Sequence, residues 1–536
     1  MKNNFARWNV LFMEYLKRDW KLIIIWVLGM GAFAGGFVPF FEEISKGQGL
    51  LGMYETMKNP AMISLVGVTP IKEAADYTVG AMYSHMMLLF SALIAMMIPV
   101  MHVVSHTRKE EENGIAEMVC SFRVGRYASS FALMVEEVLI HVLLAVFIGG
   151  MMAAFRAESI ETAPAFLFGI SVAMAGMIGA SIALVMAQIM VTSTGATGSA
   201  LGIVGVLYLL RAGTDISDRD LSMFNPMGWT YLTFPFTENN WLPLVFCVIF
   251  CVVLVLLAFG LEGARDMGAG YLPERTGSGK VKKSLLSVHG LFFRLNRSII
   301  AGWVIVFFVL GATYGSIYGD MQTFLESNEL IQAMFTLDGV SIEASFTSVI
   351  MVVMEGLTAI LPIVVINKLF AEESSARLSQ LYATKITRAK VYWVNVVIAV
   401  CAGFVANIVS SAGLGSAALA TMEECSLEMT DFLTAGIHYF PAVLFITSLT
   451  ALALGWMPRL GKVLYVYAGY ALMLNYFQGL LDFPEWLEKT AILSWIPRMP
   501  VDEFDGVAFV VITGISVVLF VIGAIGYQRR DLVENA

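Results

Sequence analysis

Apolar runs of about 20 residues recur along the whole chain, and one helix needs about this length to cross the hydrocarbon core of a bilayer. Charged residues make up 14% of the sequence and hydrophobic residues 58%, whereas a soluble domain carries about 25% charged residues. Lipid offers no hydrogen-bond partner to a backbone amide, so runs of this length must be helical. The sequence therefore predicts an all-α integral membrane protein with about twelve transmembrane helices. The predicted spans are residues 22–41, 81–104, 129–152, 165–191, 195–210, 242–261, 299–319, 347–367, 391–412, 433–455, 462–480 and 507–527.

The distribution of Lys and Arg predicts the orientation, because cytoplasmic loops of membrane proteins carry an excess of both residues. With both termini in the cytoplasm, 25 of the 33 basic residues fall in inside loops and 8 fall in outside loops. We therefore predict a multi-pass protein of the cell membrane whose two termini are cytoplasmic.

A charged loop between the second and third spans is repeated in the second half of the chain. A shift of 262 positions places Glu110 and Glu111 on Glu372 and Glu373, and Arg126 on Arg388. Each half has six spans, so both copies share one orientation, as in parallel transporter repeats. We predict two parallel six-helix halves, residues 1–270 and 285–536, joined by a cytoplasmic linker at residues 271–284.

Each half also has an amphipathic lead-in and a broken apolar segment. Residues 5–18 and 285–297 place apolar and charged side chains at helical spacing, which predicts interfacial helices on the cytoplasmic leaflet. Residues 221–235 and 483–500 are apolar and aromatic but interrupted by proline. Such segments predict short re-entrant helices before the sixth and twelfth spans.

Motifs of enzymatic chemistry are missing from the sequence. The stretch from Gly455 to Val463 has five residues between its glycines where a phosphate loop has four, and it ends in Val463 instead of Ser or Thr. The six histidines show no ligand spacing of a zinc site. We expect no enzyme, no cofactor, no catalytic or metal site and no nucleic-acid partner.

The charged loops resemble the coupling region of ABC-2 type exporter permeases. The motif runs from Arg108 through three consecutive glutamates, Gly114 and Glu117 to Arg126. The closest similarity is to the fused twelve-span tetronasin-resistance or polyketide-antibiotic type. Further matching segments are Arg211 with Asp215, Asn225-Pro226-Met227-Gly228-Trp229, Arg265-Asp266-Met267 and Arg529-Arg530-Asp531-Leu532.

This resemblance implies the permease subunit of an ATP-driven exporter of hydrophobic or amphipathic small molecules from a bacterial plasma membrane. Its partners would be two copies of a separately encoded ATP-binding subunit. The second loop departs from the family's pattern, with Ala376 in place of the glycine and Ser379 in place of the last glutamate, which leaves open whether the two contacts are equivalent. The residues implied in coupling are Arg108, Glu110, Glu111, Glu112, Gly114, Glu117, Arg126, Glu372, Glu373, Arg377 and Arg388.

A solvated cytoplasmic turn is the alternative reading of these loops. The excess of basic residues inside explains their Lys and Arg, but it does not explain three consecutive glutamates or their partial repeat.

Acidic residues inside spans are costly and usually face a cavity or a partner. Glu355 lies about two turns into the eighth span and is a candidate for the translocation path, with hydrogen-bonded packing as the alternative. Glu136 and Glu137 lie near the cytoplasmic end of the third span, where we expect pairing with Arg or Lys.

Two other classes of protein fit the composition. A proton-coupled twelve-span secondary drug transporter would also be a parallel repeat, but the glycine and aspartate of its loop motif before Arg123 are missing. A non-transporting membrane scaffold or immunity protein is the third possibility.

Overall fold

The computed structural model describes residues 4–46, 49–58, 60–217, 219–272, 283–320, 341–422, 426–477 and 484–533. Helices are the regular structure of this described part, apart from one bridge that pairs Met190 with Leu272. The helices of the first half are α1 Trp8–Gly35, α2 Val38–Ile44, α3 Gly49–Met57, α4 Pro60–Val66, α5 Val79–His106, α6 Arg108–Glu112, α7 Ile115–Cys120, α8 Ala128–Ala154, α9 Thr162–Ile189, α10 Ser193–Ser217, α11 Pro226–Tyr231 and α12 Leu242–Ala264. Those of the second half are α13 Val288–Gly315, α14 Ile342–Thr358, α15 Ile360–Ser374, α16 Arg377–Tyr382, α17 Arg388–Thr421, α18 Met429–Trp456, α19 Val463–Phe477, α20 Glu485–Glu488 and α21 Gly506–Arg529. Short 3-10 helices cover Ala74–Asp76, Arg219–Phe224, Lys283–Leu286, Ser316–Asp320, Pro458–Lys462 and Ile492–Trp495.

Eleven helical segments in the described residues are long and apolar enough to cross a membrane. They confirm the predicted all-α membrane fold and coincide with eleven of the twelve predicted spans. The remaining span, 462–480, is represented by the 15 residues of α19, and its last three residues lie outside the described part.

The lead-in and the first span form one continuous helix, α1, where two elements were expected. Residues 17–21 at the junction include neither proline nor glycine. Lys, Arg, Asp and Trp all adopt helical backbone angles and keep the N–H that a helix requires. The second lead-in likewise continues through α13.

The chain divides into two compact units, Met1–Thr276 and Gly277–Ala536. The division falls within the predicted linker, of which residues 273–282 lie outside the described part. The assignment of two parallel repeats stays a prediction.

Helix α9 is at the centre of the first unit, where it packs against α5, α8, α10 and α12. Glycine allows the closest of these approaches. A Cβ atom at Gly179 would lie 1.9 Å from the carbonyl oxygen of Met96 on α5, so the two backbones touch here. Small residues play this role between membrane helices, because lipid provides no hydrophobic drive for association.

The second unit shows a similar order of packed helix pairs. Helices α13 and α17 pack as α1 and α8 do, and α18 packs against α17 and α21 as α9 packs against α8 and α12. One difference is that the counterpart of α5 is divided into α14 and α15 at Ala359. Pro362 follows three residues later, and a proline ring clashes with the carbonyl of the residue four positions earlier.

The segments expected to be re-entrant form short helices in both units. In the first unit, a 3-10 helix precedes α11, which begins at Pro226 and is capped by the side chain of Asn225. In the second unit, α20 and the 3-10 helix Ile492–Trp495 take this place. Their depth in the bilayer stays a prediction.

The Arg211 and Asp215 motif is a buried ion pair on α10 rather than an exposed feature. The guanidinium donates to Asp215 at 2.9 Å and to the carbonyls of Ile63 and Ser64. Ser222 and Tyr231 donate to the second carboxylate oxygen of Asp215. The pair therefore ties α10 to α4 and α11.

Candidate functional site

The first charged loop consists of two short helices joined by a glycine. Helix α6 continues the end of α5 after Thr107, and α7 begins directly after Gly114. The φ of Gly114 is +73°, in the left-handed region that residues with a side chain rarely adopt. The glycine thus turns α7 away from the axis of α6.

Arg108 is buried at the base of this loop, with only 1% of its surface exposed. Its Nε and Nη2 atoms donate to the carbonyl oxygen of Ala187 at the end of α9, at 2.9 and 2.6 Å. Its Nη1 atom donates to Glu111 at 2.8 Å and to the carbonyl of Ala269 at 3.1 Å. The residue binds its own unit and is not available to another protein.

The three consecutive glutamates bind three different elements of the same unit. Glu110 accepts from Arg18 of α1 at 2.8 Å. Glu111 pairs with Arg265, which follows α12. Glu112 accepts from the backbone N–H of Ser193 at 2.7 Å and from its hydroxyl, at the start of α10. This arrangement accounts for the run of glutamates, which the solvated-turn reading did not explain.

Arg126, just before α8, also binds another segment of its own unit. Its guanidinium donates to the carbonyls of Glu262 and Arg265 at 2.8 and 2.6 Å. Glu117, in the first turn of α7, is exposed. Of the predicted acidic coupling residues in this loop, Glu117 and Glu112 are the ones open to solvent.

The second loop reproduces the central ion pair with different surroundings. Glu373, 1% exposed, accepts from Arg530 at 2.7 Å and from the backbone N–H of Val533 at 3.0 Å. Arg388 donates to the carbonyl of Arg530 at 2.5 Å, as Arg126 does to Arg265. Glu372 pairs with the exposed Arg377 at 3.0 Å.

Ala376 takes the place of Gly114 with almost the same backbone geometry. Its φ is +56°, so the turn between α15 and α16 is kept although the residue carries a Cβ atom. The absence of glycine therefore does not remove the turn, but it makes the turn more strained.

The outer surfaces of the two loops differ in polarity. On α7 and just after it, Ile115, Met118 and Phe122 are 38%, 61% and 67% exposed. We call these three residues the α7 apolar face. The shift of 262 positions replaces them by Arg377, Gln380 and Thr384, all exposed as well.

An open cleft of about 830 Å³ lies next to the α7 apolar face. Phe122, Arg123, Glu262 and Met267 are among its lining residues. Cys120, also exposed, stands at its edge. Partial burial, together with the negative charges of Glu262 and Glu111, raises the pKa of the Cys120 thiol above its usual value.

Glu355 is fully buried on α14 and is held by donors of its own unit. Its carboxylate accepts from Thr358 and Ser411, each at 3.2 Å, and from the amide of Asn407. These contacts fit the alternative in which Glu355 has a packing role and is held by hydrogen bonds. A role in the translocation path stays a prediction.

The largest departure from the sequence prediction concerns Glu136 and Glu137 on α8. Among the described residues, neither pairs with Arg or Lys; both are 0% exposed in a buried group of histidines and acids. We call this group the histidine–acid cluster, which consists of Asp19 on α1, His102 and His106 on α5, and Glu136, Glu137 and His141 on α8.

Sequence reasoning missed this cluster, although one signal was present. His102 and His106 are four positions apart, which places them on the same face of a helix. The acidic partners come from helices far away in the sequence, and their approach depends on how α1, α5 and α8 pack.

The fold and these sites define a helical protein embedded in a membrane, with ion-paired loops at the ends of its spans. A family model for the C-terminal domain of the multidrug efflux system permease Rv1217c matches residues 285–528. The multidrug efflux system permease protein Rv1217c of Mycobacterium tuberculosis (strain ATCC 25618 / H37Rv) is 27% identical over 530 residues, which cover 97% of this chain and 94% of the relative. These similarities are to a drug-efflux permease and do not support the finer resemblance to the tetronasin-resistance or polyketide-antibiotic type.

Proposed function

We propose that this chain is the permease subunit of an ATP-driven, ABC-2 type exporter that moves hydrophobic or amphipathic compounds out of a bacterial cell. The observation that carries the proposal is similarity along almost the whole chain to a multidrug efflux system permease. The ion-paired loops support coupling to ATP-binding subunits, since they join several span ends to one exposed element. Both termini lie in the cytoplasm in this proposal.

The first loop would transmit movement because it is attached to several helices at once. Glu110, Glu111 and Glu112 bind α1, the segment after α12, and α10. A force on α7 would therefore act on all these span ends together. Buried or partly buried ion pairs suit this role, because breaking one leaves an uncompensated charge.

The α7 apolar face would be the surface that contacts the ATP-binding subunit. Large apolar residues exposed together on the aqueous side of a protein mark interaction sites, and a few such residues carry most of the binding energy of an interface. The glutamates would position the loop, whereas Ile115, Met118 and Phe122 would touch the partner.

We propose two copies of the ATP-binding subunit, of which the first loop binds one more tightly. The second loop has the same αL turn and the same buried ion pair, but its outer surface is polar. This difference, rather than the alanine at 376, would make the second contact weaker.

The test is co-purification with the ABC ATP-binding subunit encoded by a neighbouring gene, followed by measurement of its ATPase activity. The paired variants Met118→Asp and Phe122→Asp should reduce co-purification about tenfold or more, because they place charge in the contact. Both side chains are exposed, so insertion and thermal stability should remain unchanged.

The repeat offers a matched control at the equivalent positions. Gln380→Asp and Thr384→Asp add the same charges to the second loop and should reduce co-purification much less. Equal retention of the partner by both pairs of variants would mean that the α7 apolar face is not the contact. A genome without any ABC ATP-binding subunit near this gene would also count against the proposal.

A proton-coupled secondary transporter is the second candidate, and the buried ionisable groups favour it. The histidine–acid cluster and Glu355 lie inside the helical units, where such groups commonly serve proton transfer. The two candidates differ in the energy source that export requires.

A further inference from the structure

We propose that the histidine–acid cluster contains a binding site for one divalent transition-metal ion of the Zn²⁺ type. The four ligand atoms would be Nε2 of His102, Nε2 of His106, a carboxylate oxygen of Asp19 and one of Glu136. One ligand atom from each of the four residues lies within 4.8 Å of the other three. Imidazole nitrogen and carboxylate oxygen together are ligands that Zn²⁺ accepts in tetrahedral sites.

In the proposed site, His102 and His106 would each bind the ion through Nε2 and keep a proton on Nδ1. Nδ1 of His106 lies 3.0 Å from the carbonyl oxygen of His102 and 3.0 Å from the hydroxyl of Ser105, and its proton would go to the carbonyl, which can only accept. Nδ1 of His102 lies 2.6 Å from a carboxylate oxygen of Glu137, to which it would donate. These are the tautomers that leave the lone pair of each Nε2 for the ion.

The same network supplies the outer contacts that metal-binding histidines require. Such a ligand nearly always donates its other N–H to a carboxylate or a backbone carbonyl, which fixes the ring and increases its basicity. Glu137 would do this for His102, and the carbonyl of His102 would do it for His106.

Several buried polar atoms of the cluster have no hydrogen-bond partner among the described residues, which points to a cation site. Both carboxylate oxygens of Glu136 and Nε2 of His102 are buried and find no hydrogen-bond partner among the described residues. Nε2 of His106 lies 2.7 Å from Oδ2 of Asp19, where its proton can donate to the carboxylate, and a bound ion would take the place of this proton. The ion would also bind Nε2 of His102 and one oxygen of Glu136, and leaving a buried polar group without a partner is costly.

The distances are of the right size for such an ion. Ligands at about 2.0–2.1 Å from a tetrahedral zinc lie roughly 3.3 Å apart. Oδ2 of Asp19 is 2.7 Å from His106 and 3.9 Å from His102, on either side of this value.

The charge of the cluster and its access from solvent also fit a divalent ion. Three carboxylates face the cluster, from Asp19, Glu136 and Glu137, and Arg18, which contacts Asp19, also pairs with Glu110. A divalent ion would balance the two acids that serve as ligands. The side chain of Asp19 is 13% exposed and that of Arg18 46%, so the ion can enter from this side.

An ion at this place would join α1, α5 and α8. His106 is the last residue of α5, two positions before Arg108, so the site would hold the base of the first charged loop. This inference does not depend on the proposed exporter function.

The test uses the full-length chain purified in detergent, stripped with a chelator and then dialysed against Zn²⁺. Elemental analysis should find one zinc ion retained per chain, and almost none in His106→Ala or Asp19→Asn. Glu137→Gln should weaken binding by about 10- to 100-fold, the usual effect of losing an outer contact. His289→Ala is the matched control, because His289 is exposed and far from the cluster in the sequence, and it should retain zinc fully.

A second measurement uses the unaltered chain, so it does not depend on the folding of any variant. Co²⁺ added to the stripped protein should produce the intense visible absorption of a tetrahedral site, and Zn²⁺ should remove it. The proposal would be overturned if the unaltered chain retained no more zinc than His106→Ala, or if Co²⁺ gave only the weak spectrum of the hydrated ion. Either result would mean that hydrogen bonds alone hold the cluster together, with Nε2 of His106 donating to Asp19.

Discussion

At the scale of single residues, buried ion pairs hold together helices that are distant in the sequence. The side chains of Arg211 and Asp215 are both fully buried, and their hydrogen bonds beyond α10 go to α4, to α11 and to the 3-10 helix before α11. A buried pair of this kind contributes little net stability, yet removing one partner is costly because the other charge remains in a low dielectric.

Asp215→Asn should therefore destabilise the first unit by about 3–5 kcal/mol, because Arg211 keeps its charge without a counterion. The exposed Glu158→Gln removes one negative charge elsewhere and should change stability by about 0.5 kcal/mol or less. Thermal unfolding of both variants in the same detergent measures the difference. Equal stability of the two variants would show that the Arg211 site is hydrated.

Adjacent glutamates of the second charged loop provide a sharper comparison. Glu373→Lys places a second cation against Arg530 in a buried site and should lower stability by about 3–5 kcal/mol. Glu372→Lys replaces the contact with the exposed Arg377 by a like-charge pair near the surface, where such interactions are worth about 0–1 kcal/mol. Yield and melting temperature of the two variants distinguish these effects.

The double variant Glu373→Lys with Arg530→Glu reverses the pair and should recover part of the lost stability. No recovery would mean that the contact to the N–H of Val533, rather than the ion pair, matters at this place. The sequence alone did not show that this carboxylate is buried.

At the scale of helices, a direct contact between backbones at Gly179 packs α9 against α5. Gly179→Ala would push a methyl group into the carbonyl of Met96, 1.9 Å away, and such overpacking costs about 1–3 kcal/mol. Gly150→Ala is the control, because a Cβ atom there meets nothing within 4 Å. It should be neutral or slightly stabilising, since alanine favours the helix. Equal loss of stability in both variants would mean that the close contact at Gly179 is not the cause.

The elements that followed from the sequence are those governed by local rules. Apolar length located the spans, and proline with glycine located the broken segments before α12 and α21. The division of α14 from α15 was not foreseen, because Pro99 is tolerated within α5 while Pro362 accompanies a break. Tertiary packing decides between these outcomes, and one sequence does not show it.

In the candidate sites too, local sequence features could be predicted, whereas contacts that depend on tertiary packing could not. The charged loops were visible because three glutamates in a row inside an apolar chain need a reason. Their partners, Arg18, Arg265 and Ser193, were not visible, since each lies more than 80 positions away. The histidine–acid cluster likewise arises only when three helices pack together.

At the scale of the whole molecule, the energy source separates the two candidate functions. The proposed ATP-driven exporter uses a separate ATP-binding subunit, and the anchored first loop and the α7 apolar face suit such a partner. A proton-driven transporter needs buried groups that bind and release protons during each cycle. Glu355 is already enclosed by donors from its own unit, and the histidine–acid cluster has the geometry of a metal site.

Cells that express this chain with its ATP-binding subunit should therefore keep exporting ethidium when a protonophore collapses the proton gradient and ATP is held constant. Replacing the subunit by a catalytically inactive form should stop export although the gradient is intact. Ethidium fluorescence in matched cells, with ATP measured in parallel, gives both rates. Export that fails with the protonophore and continues without the subunit would transfer the function to the proton-coupled class, because only the gradient would then supply the free energy of transport.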